Sequence, residues 1–219
     1  MKIAFYVSGK ANRLRQIIKK SDQSLLENIS FVFSEDTSTV DLQEILKPHG
    51  ISYCLYDYRS LTGDKNLSLS NRLLELLIES NSDYCFCFGR HILKGDLLKK
   101  YALRIINFHP SILPQFRGVK AIDQALKEGV SVLGNTAHFI DENVDTGPII
   151  AQNVMSKKRF DKYGYDGILD SQFELFQLVY KLLNQNRIHV NDKGIVEIEG
   201  ASYDDIMYIP NILDKNSLT

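Results

Sequence analysis

No apolar stretch in these 219 residues approaches the roughly 20 consecutive positions that a membrane-spanning helix needs. The N-terminus also lacks the charged, apolar and small-residue order of a secretory signal, so the sequence predicts a cytoplasmic protein with no membrane partner. Cysteine is scarce, at Cys54, Cys85 and Cys87 only. Their number is odd and their surroundings are apolar and strand-like, so buried free thiols are expected rather than a disulfide framework. Cys85 and Cys87 alternate on one strand without a second cysteine pair to complete a tetrahedral site, so no metal is expected. An excess of one charge is missing too. With 26 Lys and Arg against 27 Asp and Glu, the formal net charge of -1 offers no general basic surface for nucleic acid.

What is present is ordinary for a globular chain: 44% hydrophobic and 24% charged residues, at a length that allows one α/β domain with a short appendage. Segments 2–8, 29–34, 51–56, 84–88 and 104–108 read as strands, mostly continuous apolar runs of the kind covered on both faces. Between them 14–19, 42–46 and 67–78 have helical spacing, the last with Leu73, Leu74, Leu77 and Ile78 on one side. That βα alternation predicts an α/β fold with a doubly wound, largely parallel sheet. Segments 131–140 and 149–154 add two strands, and a late helix runs from near Ile168 to Leu183. A hairpin is expected from 188–190 and 195–198 through the turn 191–194. Tyr203, Ile206, Met207, Tyr208 and Ile209 form an apolar cluster that packs on the domain or meets a second copy in a homodimer. The boundary is drawn at 196, with 1–196 as the catalytic domain and 197–219 as a C-terminal extension.

Sites of open α/β sheets lie outside the carboxyl ends of the strands, where Gly9, Arg90, Asn107 and His109 all fall. The densest chemistry is in Ile105-Ile106-Asn107-Phe108-His109-Pro110-Ser111-Ile112-Leu113-Pro114, followed by Asp145-Thr146-Gly147-Pro148. Pro110 cannot continue a ladder, so a strand ends here, and strand alternation turns Asn107 and His109 to one face. An amide donor for an oxyanion thus stands one strand repeat from an imidazole that moves protons near neutral pH. Asp145, in a polar stretch between two apolar runs, supplies the carboxylate that this pair lacks. His138 reads as structural or supporting. Ser111 either bonds the catalytic loop or fixes the turn after His109. Arg117-Gly118 either reaches a substrate or forms a turn with a solvated arginine. Residues 57–66 read as a surface connection, 156–159 as a solvated basic face and His49 as a helix-end residue.

In Asn107 to Pro114, Phe116-Arg117-Gly118, Gly134-Asn135-Thr136-Ala137-His138-Phe139-Ile140-Asp141-Glu142 and Asp145-Thr146-Gly147-Pro148-Ile149-Ile150-Ala151-Gln152, the chain resembles the folate-dependent formyltransferases. That group contains glycinamide ribonucleotide transformylase, methionyl-tRNA formyltransferase and the amino-sugar N-formyltransferases. The four blocks occur in family order, and a looser likeness covers Met1 to about Val196. The resemblance implies formyl transfer from N10-formyltetrahydrofolate to a primary amine without a metal, with the catalytic triad on Asn107, His109 and Asp145. It places the folate between the segment Arg90, His91, Ile92 and Leu93 and the loop Ile140, Asp141, Glu142, Asn143 and Val144. The family arginine before Ile-Leu is His91 here, with Arg90 beside it, so either of the two faces the folate.

The purine enzyme has Ser-Gly-Asn-Gly-Ser-Asn-Leu after its first strand, and this chain has Ser8-Gly9-Lys10-Ala11-Asn12-Arg13-Leu14. Near the last long helix a Glu-His pair of that enzyme is replaced by Gln172-Phe173. These departures favour another acceptor, with Ser8, Gly9, Lys10, Arg13 and Arg117 on its side of the site. Lys10 and Arg13 suit a diphosphate, so the expected acceptor is the amino group of a nucleotide-linked amino sugar, in lipopolysaccharide or other cell-surface polysaccharide synthesis. The alternative is glycinamide ribonucleotide in purine synthesis. A formyltetrahydrofolate hydrolase fits less well, since no room for its N-terminal regulatory domain precedes the first strand. Methionyl-tRNA formyltransferase would need a C-terminal domain larger than the residues left here. A non-catalytic folate-binding protein would not require all three catalytic side chains.

Overall fold

The computed structural model describes residues 1–204. Its main sheet holds β1 (Ile3–Val7), β2 (Ile29–Ser34), β3 (Ser52–Leu55), β4 (Tyr84–Phe88), β5 (Ile105–His109), β6 (Val132–Phe139) and β7 (Ile149–Ser156), in the order β3-β2-β1-β4-β5-β6-β7. The expected α/β class and largely parallel sheet are found. The chain divides into two compact units, 1–108 with 138–148 and 109–137 with 149 onward.

In the first unit β3, β2, β1, β4 and β5 pair in parallel, with Phe5 opposite Val32 and Phe86, and Cys87 opposite Asn107. Every residue of β1 is buried, as its unbroken apolar sequence implies for a strand covered on both faces. Alternation sends Phe5 to one face, where its ring lies 5.6 Å from Phe86 and 5.9 Å from Phe88. Ala4 and Tyr6 face the other way, into a core with Phe33, Cys85 and the Leu69, Leu73 and Leu77 stripe of α4 (Lys65–Glu79). Asp64 starts α4 by accepting the Leu67 N–H at 3.1 Å, which satisfies one of the unpaired donors of its first turn.

Two short helices in this unit, α2 (Gln23–Leu26) and α5 (Asp96–Lys100), were not expected from sequence. Neither is long enough to show a helical repeat. The anticipated helices appear as α1 (Asn12–Lys20) and α3 (Leu42–Leu46), and His49 ends a 3₁₀ turn closed by left-handed Gly50.

The second unit packs Ile122 and Ala125 of α6 (Ala121–Lys127) with Leu133, Met155 and Ile168. Gly134 permits close main-chain approach: a Cβ there would lie 2.2 Å from the carbonyl oxygen of Asn153. Buried Asn135 is held by Asn153 Oδ1 at 3.0 Å and Ser171 Oγ at 2.8 Å. The late helix begins earlier than expected: α7 covers Lys157–Asn184, broken at Gly164 with φ 58° and ψ -145°. Ser156 caps it by accepting the Arg159 N–H at 3.3 Å, so the basic run is a helix start, where only the exposed side chains had been foreseen. The expected hairpin is present as β8 (Ile188–Val190) and antiparallel β9 (Val196–Ile198). Tyr203 offers its hydroxyl oxygen to the Ile198 N–H at 3.0 Å, and the other members of the expected apolar cluster, Ile206 to Ile209, lie outside the described residues.

Phe86→Ala should remove a fully buried ring that contacts Phe5 and Phe108. The expected cost is about 3–5 kcal/mol of stability, read as a lower urea midpoint at unchanged slope.

Candidate functional site

Strand β5 carries the Asn107 amide at its carboxyl end, opposite Cys87 of β4. The Asn107 Nδ2 lies 3.3 Å from His138 Nε2 and 3.5 Å from Asp145 Oδ1. His138, 2% exposed, faces the main-chain oxygen of Phe139 with Nδ1 at 2.9 Å. A carbonyl only accepts, so Nδ1 carries hydrogen, and in the neutral ring Nε2 offers its lone pair to the Asn107 amide. His138 and Asp145 thereby orient the amide between them, and His138 Nε2 also lies 3.5 Å from Asp145 Oδ1. The sequence had assigned His138 only a structural or supporting part.

The Asp145 turn is brought to the sheet by close backbone contact. Phe139 N–H donates to Pro148 O at 2.9 Å, and a Cβ on Gly147 would come within 2.0 Å of Phe139 O, so only glycine fits. Asp145 itself takes φ 53°, a conformation tolerated by Asp better than by most residues. Asp141 organises the preceding loop by accepting the Asn143 N–H at 3.0 Å and the Thr146 hydroxyl at 2.8 Å.

These groups open onto a cavity of about 130 Å³ within the first unit. One wall is Gly89, Arg90, His91, Ile92 and Leu93, and the other is Ile140, Asp141, Asn143, Val144 and Asp145, with Cys87, Asn107 and His138 at the base. Glu142 is exposed beside it. The lining combines apolar side chains with main-chain groups and a few convergent polar atoms, which suits a flat, polar-edged organic molecule. Among the described residues no group of three or more His, Cys, Asp and Glu side chains is placed to hold a metal ion.

A buried acid absent from the sequence reading underlies one wall. Glu35, just beyond β2, has a side chain 1% exposed and accepts a short hydrogen bond from the Tyr6 hydroxyl. Arg90 Nε lies 3.4 Å from Glu35 Oε1, while its Nη2 donates to Asp36, and His91 Nε2 is 3.6 Å from the same Glu35 oxygen. Burial raises the Glu35 pKa against the opposing pull of the Tyr6 and Arg90 contacts. Burial, and then the positive charges of Arg90 and Lys65, lower that of His91. His91 also stacks flat on Tyr58 at 3.5 Å, so the 57–66 segment, expected to be only a surface connection, supports this wall. The signal for Glu35 was available: two acids directly follow an apolar strand at the edge where open sheets bind ligands.

At the β1–α1 turn Gly9 and Ala11 are left-handed, with φ 56° and 51°. Lys10 is exposed. Arg13 is half-buried with its guanidinium 5.5 Å from the centre of the Phe88 ring, and burial lowers its pKa. It remains a cation at physiological pH. Ser8 donates to Phe88 O at 3.4 Å.

In the second unit His109 Nε2 donates to Phe116 O at 2.8 Å, and Ser111 donates to Gln115 O at 2.6 Å, which decides for the turn-fixing role of Ser111. Arg117 is exposed on that turn.

Cys87 lines the cavity, yet burial pushes its thiol up to about 12. Burial thus favours the thiol over the nucleophilic thiolate. Iodoacetamide at pH 8 should modify half-buried Cys54 first and leave Cys87 intact in the folded protein, as peptide mass spectrometry would show.

The formyl transferase family profile matches residues 1–160. The chain is 32% identical over 201 residues to the trifunctional purine biosynthetic protein adenosine-3 of Bos taurus, covering 88% of this chain and 19% of that protein. It is 33% identical over 157 residues to the formyltetrahydrofolate deformylase of Haemophilus influenzae, covering 71% of this chain and 54% of the relative. It thus spans about a fifth and about half of those two lengths. The crystal structure of phosphoribosylglycinamide formyltransferase from Anaplasma phagocytophilum superposes with a TM-score of 0.78 at 27% identity, covering 92% of this chain and 96% of that one.

Proposed function

The chain belongs to the formyl transferase family, and we propose that it transfers a formyl group from N10-formyltetrahydrofolate to the amine of a nucleotide-linked amino sugar. The observation that carries formyl transfer is the Asn107, His138 and Asp145 cluster at the base of a cavity walled by 89–93 and 140–145. Those walls would hold the folate, with Ile92, Leu93, Ile140 and Val144 against its rings and main-chain groups at its polar edge. The donor supplies the formyl group and, on losing it, takes up the proton that the amine gives up.

Asn107 would exchange its 3.5 Å contact with Asp145 for a hydrogen bond from Nδ2 to the formyl oxygen as negative charge builds there. A single donor of this kind contributes roughly 3–4 kcal/mol in a dry site. Asp145 would take the proton that the attacking nitrogen loses and pass it on to the donor nitrogen as the formyl group leaves, with His109, two residues along from Asn107 on the same strand, as the expected partner in that transfer. His138 would keep the amide turned for this task.

On the acceptor side, the reading rests on Lys10 and Arg13 at the β1–α1 turn. Two cations flanking a helix N-terminus suit a diphosphate, and a half-buried guanidinium is a strong anion partner. The similarity to the bovine purine protein favours a second reading, with the monophosphate of glycinamide ribonucleotide at the same turn. The likeness to the deformylase adds water as a competing acceptor.

Thermal-shift binding of nucleotide-linked 3-amino and 4-amino sugars and of glycinamide ribonucleotide, each with a folate analogue, separates the acceptors. Stabilisation by one nucleotide sugar is expected. Stabilisation by glycinamide ribonucleotide alone would return the chain to the purine reading, and formate release without any amine would favour hydrolysis. Asn107→Ala should lower kcat by about 10² to 10³, and His109→Ala and Asp145→Ala should each depress turnover strongly at an unchanged unfolding midpoint. Arg13→Ala should instead raise the acceptor KM with the donor KM unaltered. Near-normal turnover in the three catalytic variants would sink the mechanism.

A further inference from the structure

We infer that Glu35 is a positioning residue for the formyl-donor wall, a pillar that stands on Tyr6 and fixes the main chain of residues 89–93. The inference rests on the reading that this cavity takes the folate. Its first support is steric. A Cβ on Gly89 would fall 2.1 Å from the Tyr6 ring, so the loop lies directly against that ring and requires glycine to do so. The Tyr6 ring is itself fully buried in β1 and packed 5.8 Å from Phe33.

The second support is the direction of the polar contacts. The Tyr6 hydroxyl donates to Glu35, and the His91 backbone N–H donates to the Tyr6 oxygen. The Arg90 backbone N–H donates to the Glu35 carboxylate, which also faces Arg90 Nε and His91 Nε2. The Arg90 and His91 main chain thus faces a carboxylate and a phenol, which is how an irregular segment settles its polar groups when it lines a site.

The pillar is rooted at both ends. Glu35 N–H donates to Val7 O at 3.4 Å, and Glu35 O accepts from Tyr58 N–H at 3.0 Å. Tyr58 then covers His91 from the other side, with rings inclined by 11°. An acid buried to this degree is costly unless its contacts are all made. Its place beneath a ligand cavity, rather than in the core beside it, gives the cost a function: a rigid wall binds a flat ligand without ordering a loop first. Glu35 touches no reacting atom in this scheme and acts through Arg90 and His91.

The test combines hydrogen exchange by mass spectrometry with calorimetric titration of tetrahydrofolate, on the wild-type chain, Glu35→Gln, Tyr6→Phe, the double variant and an exposed control, Glu128→Gln. Each single variant should weaken tetrahydrofolate binding about tenfold and speed exchange in 89–93 severalfold, with β1 and β2 unaltered. The double variant should bind no more weakly than either single one, because both act through one pillar. Unchanged affinity in both single variants, or exchange accelerated evenly through the first unit, would overturn the inference. Should the wild-type chain bind no tetrahydrofolate, the donor assignment falls, and exchange alone decides: unaltered rates at 89–93 overturn the pillar, and faster rates confined there sustain it.

Discussion

Five parallel strands of the first unit run in one direction, and that constraint governs what the rest of the unit can do. Parallel neighbours require a crossover between every pair, so every strand must leave the sheet at its carboxyl end through a turn that reverses the chain. Those turns collect on one edge. Residues 8–11, 35–36, 89–93 and the end of β5 meet there because the hydrophobic pattern made the strands parallel. Asn107, Glu35 and Arg13 come from different strand connections and share an edge for this reason alone.

Along that edge one buried carboxylate, that of Glu35, is balanced by a phenol and a partly exposed guanidinium. Burial disfavours its carboxylate, and the Tyr6 hydroxyl and Arg90 guanidinium offset that penalty. Asp36, one residue further on, is held below the usual carboxylate range chiefly by the Ser38 N–H, with Arg90 assisting. The single Arg90 side chain thus serves two acids of opposite tendency, and its main chain is fixed as a consequence. The Asn107 amide is arranged differently, between the His138 imidazole and the Asp145 carboxylate, whose turn is seated by the close approach of Gly147 to Phe139 O.

What the sequence made legible follows from the reach of each signal. Period-two and continuous apolar runs gave the strands to within a residue or two, and the spacing of Leu73, Leu74 and Leu77 gave α4, although Ile78, expected on the same side, is exposed and Leu69 is buried in its place. Helices of one turn, such as α2 and α5, carry no readable repeat, and α6 was hidden by the turn residues before it. Asn107, His109 and Asp145 were named because each stands in a distinctive block. Glu35 was missed because its importance lies in what it touches, Tyr6 and Arg90, which are 29 and 55 residues away. Residues 57–66 were read as surface for the same reason: the polar composition is real, while the stacking of Tyr58 on His91 is a tertiary fact.

The β1–α1 turn shows how a substitution can alter recognition without altering backbone. Ala11 occupies the second glycine position of the related purine enzyme, yet it keeps φ 51° and ψ 37°, the conformation that glycine takes freely. Holding alanine left-handed costs roughly 1–2 kcal/mol, a cost sustained only where the surrounding structure demands that turn. Its amides therefore still point as a glycine turn would direct them, and the functional difference moves to the side chains at 10 and 13. A main-chain cradle recognises one phosphate by shape. Lysine at its mouth and a half-buried arginine in the first turn of α1 add charge without changing that shape. On the acceptor reading proposed above, such a turn would distinguish acceptors by how much negative charge they bring, the property that separates a diphosphate-linked sugar from a ribose monophosphate.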